Sequence, residues 1–117
     1  MIYKITASYR KFEELIEFVE TGILFIHRRE SGGFLMLSQS IRSYLEKNQL
    51  GDSNYHNLYS IDDEHPMFNR IFRLYQLHHL PALLVIKNYE VKEVVVGPIS
   101  KLDLLKCISI NGVDEKI

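Results

Sequence analysis

The chain has 117 residues, of which 46% are hydrophobic and 25% charged, with a net charge of −1 and a single cysteine, Cys107. A chain of this length buries a core of its own without metals or disulfides, and the composition excludes disorder over most of the length. Near-neutral charge gives no long-range attraction to nucleic acid or to an acidic membrane surface, and one thiol builds no internal disulfide.

Residues Ile2 to Thr6 alternate weakly and predict a short edge strand. From Tyr9 to Glu20 the spacing turns helical, with Phe12, Leu15, Ile16 and Val19 on one stripe, Ser8 as the expected N-cap and Gly22 as the expected terminator. Ile23-Leu24-Phe25-Ile26 is a continuous apolar run, the pattern of a central strand covered on both faces. His27 to Gly33 is polar. Helical spacing returns from Phe34 to Lys47 through Leu37, Ile41, Tyr44 and Leu45. Asn48 to Asn54 reads as a polar loop and Tyr55 to Ile61 as a strand. Pro66 suits the first turn of a helix, and Asp62-Asp63-Glu64 suit its positive end. Met67 to Leu77 is therefore expected to be helical, with Phe68, Ile71, Phe72 and Tyr75 on its core face. Ala82 to Lys87 predicts a second buried strand, joined through Asn88-Tyr89 to a hairpin partner over Glu90 to Val96. Beyond Gly97-Pro98 a last helix is expected, with Ser100 and Asp103 approximating a capping box and Leu102, Leu105 and Ile108 on its apolar face.

The order is β-α-β-α-β-α-β-β-α, without repeats or a break in composition. It predicts one α/β domain over residues 1–117, a mixed central sheet flanked by helices, with a polar tail from about residue 111. The start, Met1-Ile2-Tyr3-Lys4, has no basic segment leading into an apolar stretch, so no secretory signal is expected. Apolar runs such as Leu80 to Ile86 fall far short of the ~20 residues that span a bilayer, so no membrane insertion is expected. With a lone cysteine, these features point to the cytoplasm.

This element order resembles that of the thioredoxins, and particular segments carry the likeness. Gly22-Ile23-Leu24-Phe25-Ile26-His27 resembles the family's central strand. Ser31-Gly32-Gly33-Phe34 falls where a Cys-Gly-Pro-Cys motif would open the next helix. Ser60-Ile61-Asp62 with Pro66 looks like the third strand and its following helix start. His79-Leu80-Pro81 with Ala82 to Asn88 looks like the cis-proline segment and the strand after it. Val96-Gly97-Pro98-Ile99-Ser100 resembles the lead into the C-terminal helix. The likeness implies that the two motif thiols are replaced by Ser31 and Phe34, the buried acid of the central strand by Phe25, and the tryptophan before the motif by Glu30. Thioredoxin chemistry needs a thiolate at a helix N-terminus and a second thiol to resolve the mixed disulfide. The resemblance therefore implies a thioredoxin-like fold without dithiol–disulfide activity.

Each candidate residue has a functional and a structural reading. Ser31-Gly32-Gly33 either presents N–H groups to a carboxylate, phosphate or peptide carbonyl, or is an N-cap serine with two turn glycines. Glu30 opposes an anion there, while Arg28 and Arg29 favour one. The resemblance implies a cis peptide at Leu80-Pro81, facing the motif loop, where an extended peptide pairs by main-chain bonds or where the bond only preserves the fold. His78-His79 have no companion ligands at metal spacing and read as surface residues. Cys107 reads as a small apolar residue of the last helix. Asp62-Asp63-Glu64 read as helix-start charges rather than a cation site.

No catalytic residue, metal or other cofactor is expected. The expected surface comprises Glu30, Ser31, Gly32, Gly33, Phe34, His79, Leu80 and Pro81, with Phe34 offering an apolar contact in place of sulfur. Its expected occupant is a protein or peptide partner, or a second copy of the chain, and not nucleic acid. The alternative is a glutathione- or small-thiol-binding transferase in which Ser31 hydrogen-bonds a bound thiolate. Such enzymes bring a second helical domain, for which 117 residues leave no room. A purely structural subunit is a further alternative.

Overall fold

A computed structural model describes residues 2–47 and 58–97 of the chain. The expected loop at 48–54, the start of the strand at 55–57, the last helix and Cys107 lie outside the described residues, as do the side chains of Ile41, Tyr44 and Leu45. The elements run β1 (Tyr3–Lys4), α1 (Phe12–Val19), β2 (Gly22–Ile26), α2 (Gly32–Lys47), β3 (Leu58–Ile61), α3 (Phe68–Leu74), β4 (Ala82–Lys87) and β5 (Glu90–Val96).

The sheet order is β1-β3-β2-β4-β5. β1 and β2 flank β3 in parallel, β4 runs antiparallel to β2, and β5 antiparallel to β4. The two continuous apolar runs thus occupy the middle, and β2 is buried at every position. Phe25, Leu24, Ile26, Leu84 and Ile86 are all completely buried. Full burial of each such side chain contributes roughly 1.5–3 kcal/mol. Helix α1 covers the sheet with Leu15, Ile16 and Val19, and α3 with Phe68 and Ile71.

Several boundaries differ from the periodicity. Helix α1 begins at Phe12 behind Lys11, with no side-chain cap, so Ser8 is not its N-cap. The chain before it is held elsewhere: the Ala7 carbonyl accepts from the His65 ring, and Tyr9 stacks on that ring. Glu13 and Glu14 in the first turn complement the uncapped N-terminus. Glu20, not Gly22, ends α1. It turns at φ 59 and donates its N–H to the Ile16 carbonyl, while Gly22 enters β2 opposite Ile86. The edge strand shrinks to Tyr3–Lys4, α2 starts two residues earlier than expected, and α3 stops at Leu74. Gln76 at φ 51 then reverses the chain, so that Leu77 is buried in the core.

The acidic segment also does something other than expected. No acid stands in the first turn of α3. Asp62 pairs with Lys4 at 2.9 Å, and Asp63 and Glu64 both bind Arg29. Two cations that are remote in sequence take up these charges.

Strand directions collect the functional loops. Ile26 lies opposite Ala82, so the end of β2, the loop into α2 and the Leu80–Pro81 segment share one end of the sheet. The Asn88-Tyr89 turn lies at the other end, where the Glu20 carbonyl accepts the Tyr89 N–H at 2.9 Å.

Candidate functional site at the strand ends

Ser31 sits at the junction of β2 and α2. Its Oγ accepts the Phe34 N–H at 3.2 Å, and its carbonyl accepts the Leu35 N–H at 3.1 Å. These are the bonds of an N-cap serine. Glu30, exposed just before it, holds a left-handed φ of 59. Such a backbone strains an L residue by about 1–2 kcal/mol.

The two glycines differ. Gly32 faces open space, whereas a Cβ on Gly33 would stand 3.0 Å from Pro81 Cδ. Gly33 is therefore the point where the motif loop rests on the proline loop. The Leu80–Pro81 peptide is cis. Pro81 is buried, and its carbonyl accepts the Gly97 N–H at 3.1 Å. Among the described residues, the N–H and C=O of Leu80 find no backbone partner. The Leu80 side chain is half-buried, and His79 beside it is exposed with its Cβ against Gly97.

Phe34 turns inward more than a surface contact requires. Its ring lies flat on His27, with centroids 3.7 Å apart and planes at 3°, and meets Phe25 edge-on at 5.8 Å. It remains half-buried. Leu35 and Met36, the next residues, are exposed at 57% and 70%. Exposed apolar surface at the start of α2 thus comes from Leu35 and Met36 more than from Phe34.

Sequence reasoning missed His27. It is buried to 8% exposure, with Nδ1 2.8 Å from the Arg28 carbonyl. A carbonyl only accepts, so Nδ1 carries the proton and Nε2 is the bare nitrogen. Nε2 is buried and lacks a partner among the described residues. Burial holds the ring below its ordinary value of 6.5, against an opposing pull from the Arg28 carbonyl, so it is neutral at pH 7. The signal available in the sequence was its position, the first residue after the apolar run and hence the last to sit over the sheet.

Arg29 is committed. Its backbone N–H and Nε reach Asp63 Oδ1 at 2.9 and 3.3 Å, and Nη1 reaches Glu64 at 3.1 Å. The Arg29 N–H and guanidinium hold the Asp63 carboxyl below its usual range. Burial pushes the Asp62 carboxyl up, but its bonds from Lys4 and the Glu64 N–H outweigh that and leave it low. Arg28 lies 5.8 Å over the Phe68 ring. Neither arginine is aimed at the start of α2 by any of these contacts. His78 and His79 stand with rings 5.0 Å apart, and among the described residues no group of His, Cys, Asp or Glu is arranged to hold a metal ion.

No family model matches the sequence, and no curated protein matches it. Solved structures do. Mitochondrial thioredoxin 3 of Saccharomyces cerevisiae, in its oxidised form, superposes with a TM-score of 0.66 at 15% identity, over 93% of this chain and 94% of that one. Oxidised thioredoxin of Plasmodium falciparum gives 0.66 at 13% identity, over 94% and 97%. Oxidised thioredoxin O1 of Arabidopsis thaliana gives 0.64 at 14%, over 93% and 96%. The fold is thioredoxin-like. At such identities the likeness concerns architecture and carries no activity with it. Within this thioredoxin-like fold, Ser31 and Phe34 occupy the start of α2 opposite the cis-proline, and the chain's one cysteine, Cys107, is remote from both in sequence.

Proposed function

We propose that this thioredoxin-fold protein has no dithiol–disulfide activity and binds an extended segment of a polypeptide partner across Leu80–Pro81 and residues 30–34. The observation that carries the reading is the main chain of Leu80, whose N–H and C=O have no backbone partner among the described residues, lying beside Pro81 where Gly33 meets the proline loop. An incoming strand would bond that N–H and C=O, the mode in which main-chain pairing supplies affinity and side-chain pockets supply selectivity. Half-buried Phe34 and Leu80, with exposed Leu35 and Met36, supply the apolar contacts. A serine hydroxyl cannot form a mixed disulfide and phenylalanine has no nucleophile, so residues 31 and 34 perform no thiol exchange.

The test has two arms. The purified chain should leave insulin unreduced by dithiothreitol beyond the uncatalysed rate. A partner co-purified with the native chain should be lost at least about tenfold in Met36→Asp, whose side chain is exposed, and in Leu80→Asp, whose side chain is half-buried against the core. Retention at native levels by both variants sinks the assigned surface, and insulin turnover sinks the chemical half of the proposal. Calorimetry with glutathione separates the transferase reading, which requires binding that disappears in Ser31→Ala.

A further inference from the structure

A second surface lies at the other end of the molecule. Between α1, the end of α3 and the β4–β5 hairpin runs an open groove of about 910 Å³. Ile16 and Val91 line it alongside the aromatic rings of Phe12, Tyr75 and Tyr89. Phe12 and Tyr75 meet edge to face at 5.9 Å, which fixes one side. Tyr89 is 54% exposed and sits in the hairpin turn at φ 66, a backbone geometry that a side chain strains. The remaining lining is acidic: Glu13, Glu17 and Glu90. Among the described residues no lysine or arginine lines the groove, and neither Glu13 nor Glu17 has an ion-pair partner there. Glu90 pairs with Lys92 at 2.6 Å. Glu13 and Glu17 are four apart on one helix, a spacing at which like charges repel.

We infer that this groove docks a basic segment of another polypeptide, one in which arginine or lysine alternates with apolar residues. Charge complementarity chooses the occupant. Aliphatic side chains of the segment would lie on Ile16 and Val91, and its cations would reach Glu13 and Glu17 and the faces of the tyrosine rings, which attract cations through their quadrupole. The groove is open to solvent rather than enclosed, which suits a chain segment better than an enclosed small molecule. It is also separate from the cleft proposed above. β5 runs from Glu90 to Val96, and at about 3.3 Å per residue the hairpin turn stands roughly 20 Å from the Pro81 end of the sheet.

The probe is a fluorescein-labelled nonapeptide of alternating arginine and leucine, titrated into the full chain and followed by anisotropy, with the glutamate–leucine counterpart as control. The arginine peptide should bind and the glutamate peptide should not. Affinity should fall several-fold between about 50 and 500 mM salt, because exposed charge pairs are screened. Glu13→Gln/Glu17→Gln should weaken binding about tenfold, and Leu80→Asp should leave it unchanged. Amide resonances of residues 12–17 and 89–91 should shift on titration. Absence of binding, equal binding of the double variant, or shifts confined to residues 30–34 and 79–81 overturns the inference. Because Leu80→Asp acts only at the other cleft, failure here leaves the proposed partner site standing, and the reverse holds.

Discussion

Gly32 and Gly33 stand side by side in the first turn of α2 in opposite situations. Both lose more conformational freedom on folding than alanine would. At Gly32 an added methyl meets nothing within 4 Å, so Gly32→Ala should stabilise by roughly 0.4–1 kcal/mol. At Gly33 the methyl would meet the Pro81 ring at 3.0 Å, and that ring is buried and cannot step aside. Gly33→Ala should therefore destabilise, by about 1–3 kcal/mol less the helix gain. Urea midpoints of the two variants check this, and a stabilised Gly33→Ala would show that the loops do not touch. The motif glycines were legible in the sequence as turn residues. Which of them was sterically required was not, because the requirement comes from Pro81, far along the chain. His27 was overlooked for the same reason: its burial under Phe34 depends on how α2 leaves the loop.

At the scale of elements, continuous apolar runs read most faithfully. Ala82–Lys87 and Glu90–Val96 have the bounds that their composition predicts, and Gly22–Ile26 differs by one residue. Helix ends read least well: α1 ends where remote residues bond its last turn, and α3 ends in local turn bonds that the left-handed Gln76 closes. The end of α1 is stitched to the hairpin: the Glu20 carbonyl accepts from Tyr89, and Thr21 Oγ1 accepts the Asn88 N–H at 3.1 Å. Asn88 and Tyr89 have φ of 51 and 66, both positive as a type I′ turn requires. Glycine relieves the strain at the second position while costing some chain entropy, so Tyr89→Gly should raise stability by a few tenths to about 1 kcal/mol. Thermal denaturation measures it. A loss of stability instead would mean that the Tyr89 ring contributes more to packing in the groove than its backbone costs.

For the molecule as a whole, two buried histidines make stability depend on pH. The His65 Nε2–H donates to the Ala7 carbonyl at 2.9 Å, and Nδ1 accepts the Met67 N–H at 3.1 Å, an arrangement only the neutral ring can make. Burial pushes His65 down from 6.5, as it does His27, against smaller upward pulls from carbonyls. In both cases the unfolded chain binds the proton more readily than the fold. Stability from these groups is therefore complete above about pH 6.5 and declines as pH falls through that value toward the lower folded ones. The urea midpoint should be level from about pH 7 to 8 and fall as the pH drops below about 6.5. A further decline should follow below about pH 4, where the lowered carboxylates of Asp62 and Asp63 take up protons. A level profile from pH 7 to 5 would show that neither ring is held neutral.

By itself the sequence determined the two central strands, the α/β class and the absence of a thiol from residues 30–34 and 79–81. Those properties are local: a run of apolar residues or the identity of a side chain needs no partner to be read. Only the tertiary structure decided that Arg29 spends its charge on Asp63, 34 residues away, that Lys4 takes Asp62, and that Gly33 rests on Pro81. It also decided that Phe12, Tyr75 and Tyr89 line one groove. Such contacts follow from how the sheet brings remote segments together, and no periodicity along the chain encodes the pairing.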